Sequence, residues 1–449
     1  MNDTKGTSLW SWVDDFKGDK VILIITLILM TASIVSVFSS STLLALGQHT
    51  NRASIMVTQV KTVGIGAAVI LLIYFLGNSR IYRFIGKCGF ILSLGMLSVL
   101  AFNLDLGLVR AGEINGASRV IVIMGKQLHV FEIVKLLMVL YVSWALTTYK
   151  EGGFRLTKHL AAFTKKLSFL DTPIYQKTIY MYVPLVLVIG LIMRGSNSSA
   201  LFLAAIMVSL FVIGGIDVKD IAVLVGVLVV AIGLLFAANA LGVVEINRFD
   251  TGLSRVTNDE KAQMDSLIFY MPGEGHYNAA KYHYYLDKLR QPVGAKLAIK
   301  DGGFFGKGIG NSMQKYVVPV IFSDYMFSFI IEETGILGAT IVIILYYSLL
   351  ARGVWVAKRC EDYFDKMAVT GLSILIAAQA FMHMMVNVHF PLIPQTGQTL
   401  PLMSHGTSSF LVFSAVLGIL LSLSKKTGTD GKEEVTSLHT TQESTMHNV

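Results

Sequence analysis

The sequence predicts an all-α, polytopic membrane protein of about ten transmembrane helices. Three observations carry that prediction. Of the 449 residues, 53% are hydrophobic and only 15% charged, against about 25% charged in an ordinary soluble domain. The apolar excess is gathered into blocks, among them 21–38, 63–76, 179–193 and 218–241, and a bilayer core asks a helix for roughly 17–25 such residues. Lysine and arginine concentrate in every second connection between blocks, the pattern of cytoplasmic loops. The net charge of +8 then reads as loops facing anionic lipid, with no nucleic-acid partner. The two cysteines, Cys88 and Cys360, give neither a disulfide framework nor a metal spacing.

In chain order the spans are expected at 21–46, 60–77, 84–102, 128–148, 178–193, 199–215, 218–241, 323–351, 367–390 and 405–423. The first follows an acidic head with Asp14, Asp15 and Asp19 and is too long for a signal h-region, so it is expected to be retained. One set of loops holds Arg80, Arg83 and Lys87; then Lys150, Arg155, Lys158, Lys165, Lys166 and Lys177; then Arg352, Lys358, Arg359 and Lys366; then Lys425 and Lys426. The opposite short loops hold Arg52 and Arg194. The positive-inside rule makes the first set cytoplasmic, with both termini inside. The chain then divides into a cytoplasmic tail (1–20), a single transmembrane domain (21–424) and a disordered cytoplasmic tail (425–449) rich in Ser, Thr and Glu. A large extracytoplasmic loop, 242–322, joins helices 7 and 8, and its aromatics (Phe269, Tyr270, Tyr277, Tyr282, Tyr284, Tyr285) argue for order against the membrane face. No internal repeat supports an inverted-repeat transporter.

Chemistry concentrates between Ala298 and Gly338. A glycine-rich loop (Gly302, Gly303, Gly306, Gly308, Gly310) carries Lys307 and Lys315 and leads into Asp324, Glu332 and Glu333. Ionisable residues at a membrane helix are functional-site candidates by default. Asp324 has two readings: a cap for the helix that follows it, or a catalytic carboxylate. On a continuous helix Glu332 would lie about 80° round from Asp324 and about 12 Å deeper, with Glu333 on the opposite face. Glu132 and Lys135 share one face of the fourth span, either as a self-neutralising pair or as one wall of a polar cavity. The glycine loop misses both nucleotide-binding fingerprints; it is either a hinge or a set of backbone N–H groups that, with Lys307, Lys315, Arg119 and Arg248, holds a lipid pyrophosphate. The stretch 387–411 is broken by three prolines and two glycines and is lined by Asn387, Gln395, Thr399, Ser404, His405, Thr407, Ser408 and Ser409. Irregular backbone at membrane depth must be buried in protein or line a wet cavity. His383, His389 and His405 are too scattered to form a metal site.

These stretches resemble the SEDS family (shape, elongation, division and sporulation proteins: FtsW, RodA, SpoVE). The family block "GGLFGKGLGNSxQK…TDFIFAxIGEELG" is matched by Gly302 to Lys315, Ser323 to Phe327 and Glu332-Glu333-Thr334-Gly335. The late block "VNxG…LLPxTGxTLPLISYGGSS" is matched by Val386-Asn387, Pro394, Thr396-Gly397, Thr399 to Leu402, Ser404 and Ser408-Ser409. A third block is matched by Asn115 to Arg119 and by Glu132 to Leu136. Three departures mark a divergent branch. An acid of the family motif is Asn197, the proline before Glu132 is missing, and the late Tyr-Gly pair reads His405-Gly406-Thr407.

The resemblance implies a peptidoglycan glycosyltransferase. It would polymerise lipid II by inverting glycosyl transfer and release undecaprenyl pyrophosphate in the bacterial inner membrane, at the septum if it is of the division type. Asp324 takes the place of the family's essential acid, as base or as ligand of a divalent cation (Mg or Mn). Substrate contacts would come from Lys307, Lys315, Arg119, Ser404 and Ser408, and polar support from Glu132, Lys135, Glu332, Glu333 and Asn387. The implied partners are a class B penicillin-binding protein, a transpeptidase, and other divisome proteins; Trp10 and Trp12 in the tail are a docking element or an aromatic belt. A lipid II flippase, a scaffold for the transpeptidase and an elongation-type enzyme are the competing readings.

Overall fold

The computed structural model describes residues 16–105, 107, 109–114, 117–123, 125–163, 168–169, 171–240, 260–390, 393 and 396–446. Trp10, Trp12, Asp14, Asp15, Lys165, Lys166, Arg248, Pro394 and Gln395 lie outside them. The chain is a helical bundle: α1 (Lys20–Ser40), α2 (Thr42–Gly47), α3 (Arg52–Leu76), α4 (Ser79–Ala101), α5 (Val130–Lys150), α6 (Arg155–Phe163) and α7 (Pro173–Met193). There follow α8 (Asn197–Ile213), α9 (Val218–Ala240), α10 (Glu260–Phe269), α11 (Ala279–Gly302), α12 (Met326–Arg359), α13 (Tyr363–Asn387) and α14 (Thr407–Met446).

Among the described residues, eight helices are long and apolar enough to cross a membrane. With the 17-residue α8 and the 23-residue α9 they fall at the expected span positions, and the protein is a multi-pass membrane protein. Helices α5 and α13 and the apolar part of α14 (Thr407–Lys426) are mostly buried in the bundle, whereas α3, α4 and α12 turn most of their length outward. The burial of Lys135, Gln379, His383 and Asn387 follows from that central placement.

Three features differ from the sequence reading. The connection before α5 folds as a three-stranded antiparallel sheet, β1 (Val109–Ile114), β2 (Ala117–Ile123) and β3 (Lys126–His129), with Val109 opposite Ile123 and Val120 opposite His129. Its signal was the β-branched run Val120, Ile121, Val122, Ile123. The apolar part of α14 ends at Lys426, yet the helix continues to Met446, through the stretch expected to be disordered; extending an existing helix needs no new nucleus. Finally, α12 is broken inside. Gly335 has φ 69° and ψ −172°, a conformation essentially reserved to glycine. Asp324 lies in the turn before this helix, so the helical register of Glu332 does not extend to it.

Candidate active site around Asp324

The break at Gly335 explains the glycine loop. Interrupting a helix leaves carbonyls on one side and N–H groups on the other without partners. The loop supplies both. Lys307 N and Gly308 N donate to the carbonyls of Glu332 and Glu333, each at 2.9 Å, while Ile336 N and Leu337 N donate to the carbonyls of Gly303 and Phe304 at 3.0 and 3.3 Å. A side chain at Gly335 would overlap the Phe304 carbonyl, and one at Gly306 would overlap the Glu333 carbonyl. The glycines permit this backbone-to-backbone approach.

The two glutamates fasten the same loop. Fully buried Glu332 accepts from Met313 N at 2.8 Å and from the Ser312 hydroxyl, and pairs with Lys307 Nζ at 3.3 Å. Glu333 accepts from Ser39 Oγ at 2.6 Å and Gly310 N at 2.9 Å. Lys307 also pairs with Asp301 at 2.6 Å, and that hydrogen bond holds its ammonium above the usual lysine range. Lys315 is buried, its ammonium donating to the Gly310 carbonyl. The loop's cations are therefore engaged with Asp301 of α11, Glu332 of α12 and the loop's own backbone.

Asp324 is differently placed. The residue preceding α12 is Tyr325, whose side chain makes no capping bond, and the first-turn N–H groups of Phe327 and Ser328 go to side chains of α13. The Asp324 carboxylate accepts from the neighbouring Ser323 hydroxyl at 3.1 Å and from none of the first backbone N–H groups of α12. The residue is half-buried. Burial raises its carboxyl above the usual aspartate range, while the Ser323 hydroxyl and the Arg119 guanidinium pull it back down. Gly397 lies against the carboxylate: a Cβ there would sit 2.7 Å from Oδ2. A carboxylate whose pKa is raised by burial is a better proton acceptor than an ordinary aspartate.

The wall behind Asp324 is built by α13 and the irregular segment 396–406. Asn387 Nδ2 donates to the Asp324 carbonyl at 2.9 Å, and Asn387 Oδ1 accepts from Ser328 N at 2.9 Å. Ser404 Oγ donates to the Ser323 carbonyl at 2.7 Å, and His405 N to the Phe322 carbonyl at 2.9 Å. Further in, Lys135 Nζ is shared by Glu132 Oε1 at 2.7 Å, Gln379 Oε1 at 2.5 Å and Gln398 Oε1 at 3.5 Å. The pair at Glu132 and Lys135 thus grips Gln398, next to Gly397. Burial of Lys135 without these partners would cost several kcal/mol, on the order of 3–5 for breaking such a pair.

Among the candidates, the structure gathers Asp324, Asn387, Ser404, Glu132 and Lys135 into one connected network, with Arg119 in electrostatic reach. It keeps Glu332, Glu333, Lys307 and Lys315 in a second network around the glycine loop. Arg119 Nε donates to the Gly195 carbonyl at 3.1 Å, and Ser408 Oγ to the Gln127 carbonyl at 2.7 Å. Gln379 and Gln398 were not singled out from the sequence. Gln379, His383 and Asn387 recur every fourth residue on the otherwise apolar second half of α13, a polar stripe that could have been read. Among the described residues no three His, Cys, Asp or Glu side chains converge, so a divalent ion here would take one carboxylate from the protein and the rest of its ligands from phosphate and water. That is an ordinary mode for Mg²⁺.

A family model described as "Cell cycle protein" (FtsW, RodA, SpoVE) matches residues 19–429. The probable peptidoglycan glycosyltransferase FtsW of Trichlorobacter lovleyi is 26% identical over 428 residues, covering 90% of this chain and 93% of that protein. The probable peptidoglycan glycosyltransferase FtsW of Bacillus subtilis is 38% identical over 135 residues, 30% of this chain and 33% of that protein. Among solved structures, a chain from work on the structural coordination of polymerization and crosslinking by a peptidoglycan synthase complex superposes with a TM-score of 0.58 at 20% identity, over 91% of this chain and 98% of the other. At that identity the likeness is one of fold.

Proposed function

Because the chain belongs to the FtsW/RodA/SpoVE cell-cycle family, we propose that it is a peptidoglycan glycosyltransferase of the FtsW type, polymerising lipid II for the septal wall. The observation that carries this reading is Asp324: a half-buried carboxylate, its pKa raised by burial, backed by Gly397 and spent on no helix cap.

In the reaction the 4-hydroxyl of one N-acetylglucosamine attacks the anomeric carbon of the N-acetylmuramic acid on the growing strand. The new C–O bond forms as the bond to the pyrophosphate breaks, with inversion. The hydroxyl proton passes to Asp324, and undecaprenyl pyrophosphate leaves as the anion. Arg119 is the cation in electrostatic reach of Asp324, and it offsets charge gathering on the leaving group. Lys307 is part-exposed at 29% of its side chain and is a second source of charge at the rim. In the alternative role, Asp324 would be the protein ligand of a divalent cation, which when bound would supply positive charge to the pyrophosphate.

This reading places the Asp324 end of the bundle on the outer face of the membrane, where the sugars of flipped lipid II are presented. The opposite end carries the basic loops. A class B penicillin-binding protein is the expected partner, supported by the family and by the synthase-complex origin of the structural neighbour.

The test is purified protein with labelled lipid II, in detergent and in vesicles, with and without the transpeptidase. Glycan strands support polymerisation. Lipid transfer between leaflets without strands would make the protein a flippase, and neither activity would leave a scaffold.

A further inference from the structure

We propose that His383 is a positioning residue for Asp324, acting as a neutral imidazole that ties the Asp324 segment to the irregular segment behind it. The inference deepens the reading above and rests on it. His383 is buried on α13. Its Nε2 lies 3.3 Å from the backbone N of Phe327, and its Nδ1 lies 2.6 Å from the carbonyl O of Gln398. A backbone N–H can only donate and a carbonyl can only accept. Nε2 must therefore be the bare nitrogen and Nδ1 must carry the hydrogen.

The two groups so joined are telling. Phe327 follows Asp324 in the first turn of α12, and Gln398 directly follows Gly397, the residue lying on the Asp324 carboxylate. One turn further along α13, Asn387 holds the Asp324 carbonyl and the Ser328 N–H. Asn387 grips Asp324 and its helix only. His383 also reaches across to Gln398 in the segment that supplies the opposing wall, and so sets the gap beside Gly397, while Ser404 and His405 tie the same segment to Ser323 and Phe322 further along. Neither segment has a regular hydrogen-bond ladder across that gap, and a shift of about 1 Å in a catalytic group can cost on the order of a hundredfold in rate.

His383→Leu and His383→Gln test this. Leucine fills the space with no polar atom. Glutamine offers one acceptor and one donor, as neutral imidazole does. In His383→Leu, amide hydrogen exchange at Phe327 should quicken at least about tenfold as its hydrogen bond is lost. Its kcat with lipid II should fall roughly 10–100-fold, with KM within about twofold. His383→Gln should restore most of both. The ¹⁵N spectrum of histidine-labelled wild type, assigned by difference from His383→Gln, should show an Nδ1–H tautomer, and this needs neither turnover nor the leucine variant to fold. Protonated Nε2, unchanged Phe327 exchange in folded His383→Leu, wild-type kcat in that variant, or equal impairment of the two variants would each overturn the proposal. A wild-type protein that makes no strands sinks the polymerase reading instead, while the exchange and tautomer measurements still judge the clamp.

Discussion

The two ends of the bundle are held by different chemistry. At the end where α1 begins, ion pairs join helix to helix. Asp19 caps α1 through Val21 N and Ile22 N, both at 3.0 Å, and pairs with Arg352 of α12 at 2.7 Å. Asp365 of α13 takes Lys426 of α14 at 2.8 Å and Ser79 of α4 at 2.7 Å. Lys177 of α7 meets Asp220 of α9 at 2.5 Å, and Arg83 of α4 meets Asp362 at 3.2 Å. At the Asp324 end the ties are mostly neutral hydrogen bonds through backbone atoms: Asn387 to Asp324, Ser404 to Ser323, His383 to Gln398 and Phe327, the glycine loop to the break at Gly335. An exposed pair such as Arg83 with Asp362 contributes about 0–1 kcal/mol and tolerates side-chain drift, whereas Asp19, Asp365 and Lys177 are buried and hold their partner helices more firmly. A buried backbone group that loses its partner costs about 1–3 kcal/mol. The first end therefore fixes which helices are neighbours. The second fixes where irregular backbone stands, which is what a reaction needs.

That contrast can be broken by substitution, and the largest effect is expected at Asp324. Asp324→Asn should abolish glycan polymerisation while leaving the thermal transition of the purified protein in place; strand synthesis at the wild-type rate would remove Asp324 from the chemistry. Gly335→Ala comes next. Its added methyl meets the Phe304 carbonyl and the Gly306 nitrogen at a backbone conformation that L-residues avoid, so folded yield should drop and stability should fall by about 2–4 kcal/mol, read as a lowered Tm. Arg119→Leu should lower kcat on the order of tenfold or more. It should also move the acid limb of the activity profile. Asp324 accepts a proton only when ionised, and Arg119 lowers its pKa; without that charge the pKa rises, and activity is lost at a higher pH. An acid limb that stays put would show that Arg119 does not act on Asp324. Smallest is Asp19→Ala at the opposite end. Loss of a cap and an ion pair should cost about 1–2 kcal/mol in Tm-derived stability, with kcat on lipid II unchanged. A fall in kcat there would mean the two ends are coupled more tightly than their chemistry suggests.

Much of this protein was legible before any coordinates. Span positions follow from hydropathy because a bilayer imposes the same demand on every crossing helix, wherever it packs. Motif order led to Asp324, Glu132, Lys135, Asn387 and Ser404. The capping alternative for Asp324 was settled by local backbone geometry, since the turn falls at Tyr325 and leaves the carboxylate unused by the helix. The glycine loop looked like a phosphate cradle because its composition is that of a loop whose N–H groups are on offer. Four residues of the loop and its helix, Lys307, Gly308, Ile336 and Leu337, instead give their N–H groups to each other's carbonyls.

By itself, the sequence determined the membrane-spanning class, the number and order of the apolar helices, and the stretch that carries Asp324. These depend on composition and spacing along the chain. Only the tertiary structure decided that Gly397 lies on Asp324, that His383 joins Phe327 to Gln398, and that Lys135 reaches Gln398 as well as Glu132. Each of those contacts joins residues tens to hundreds of positions apart, and it is the packing of α5 and α13 in the middle of the bundle that brings them within hydrogen-bond range.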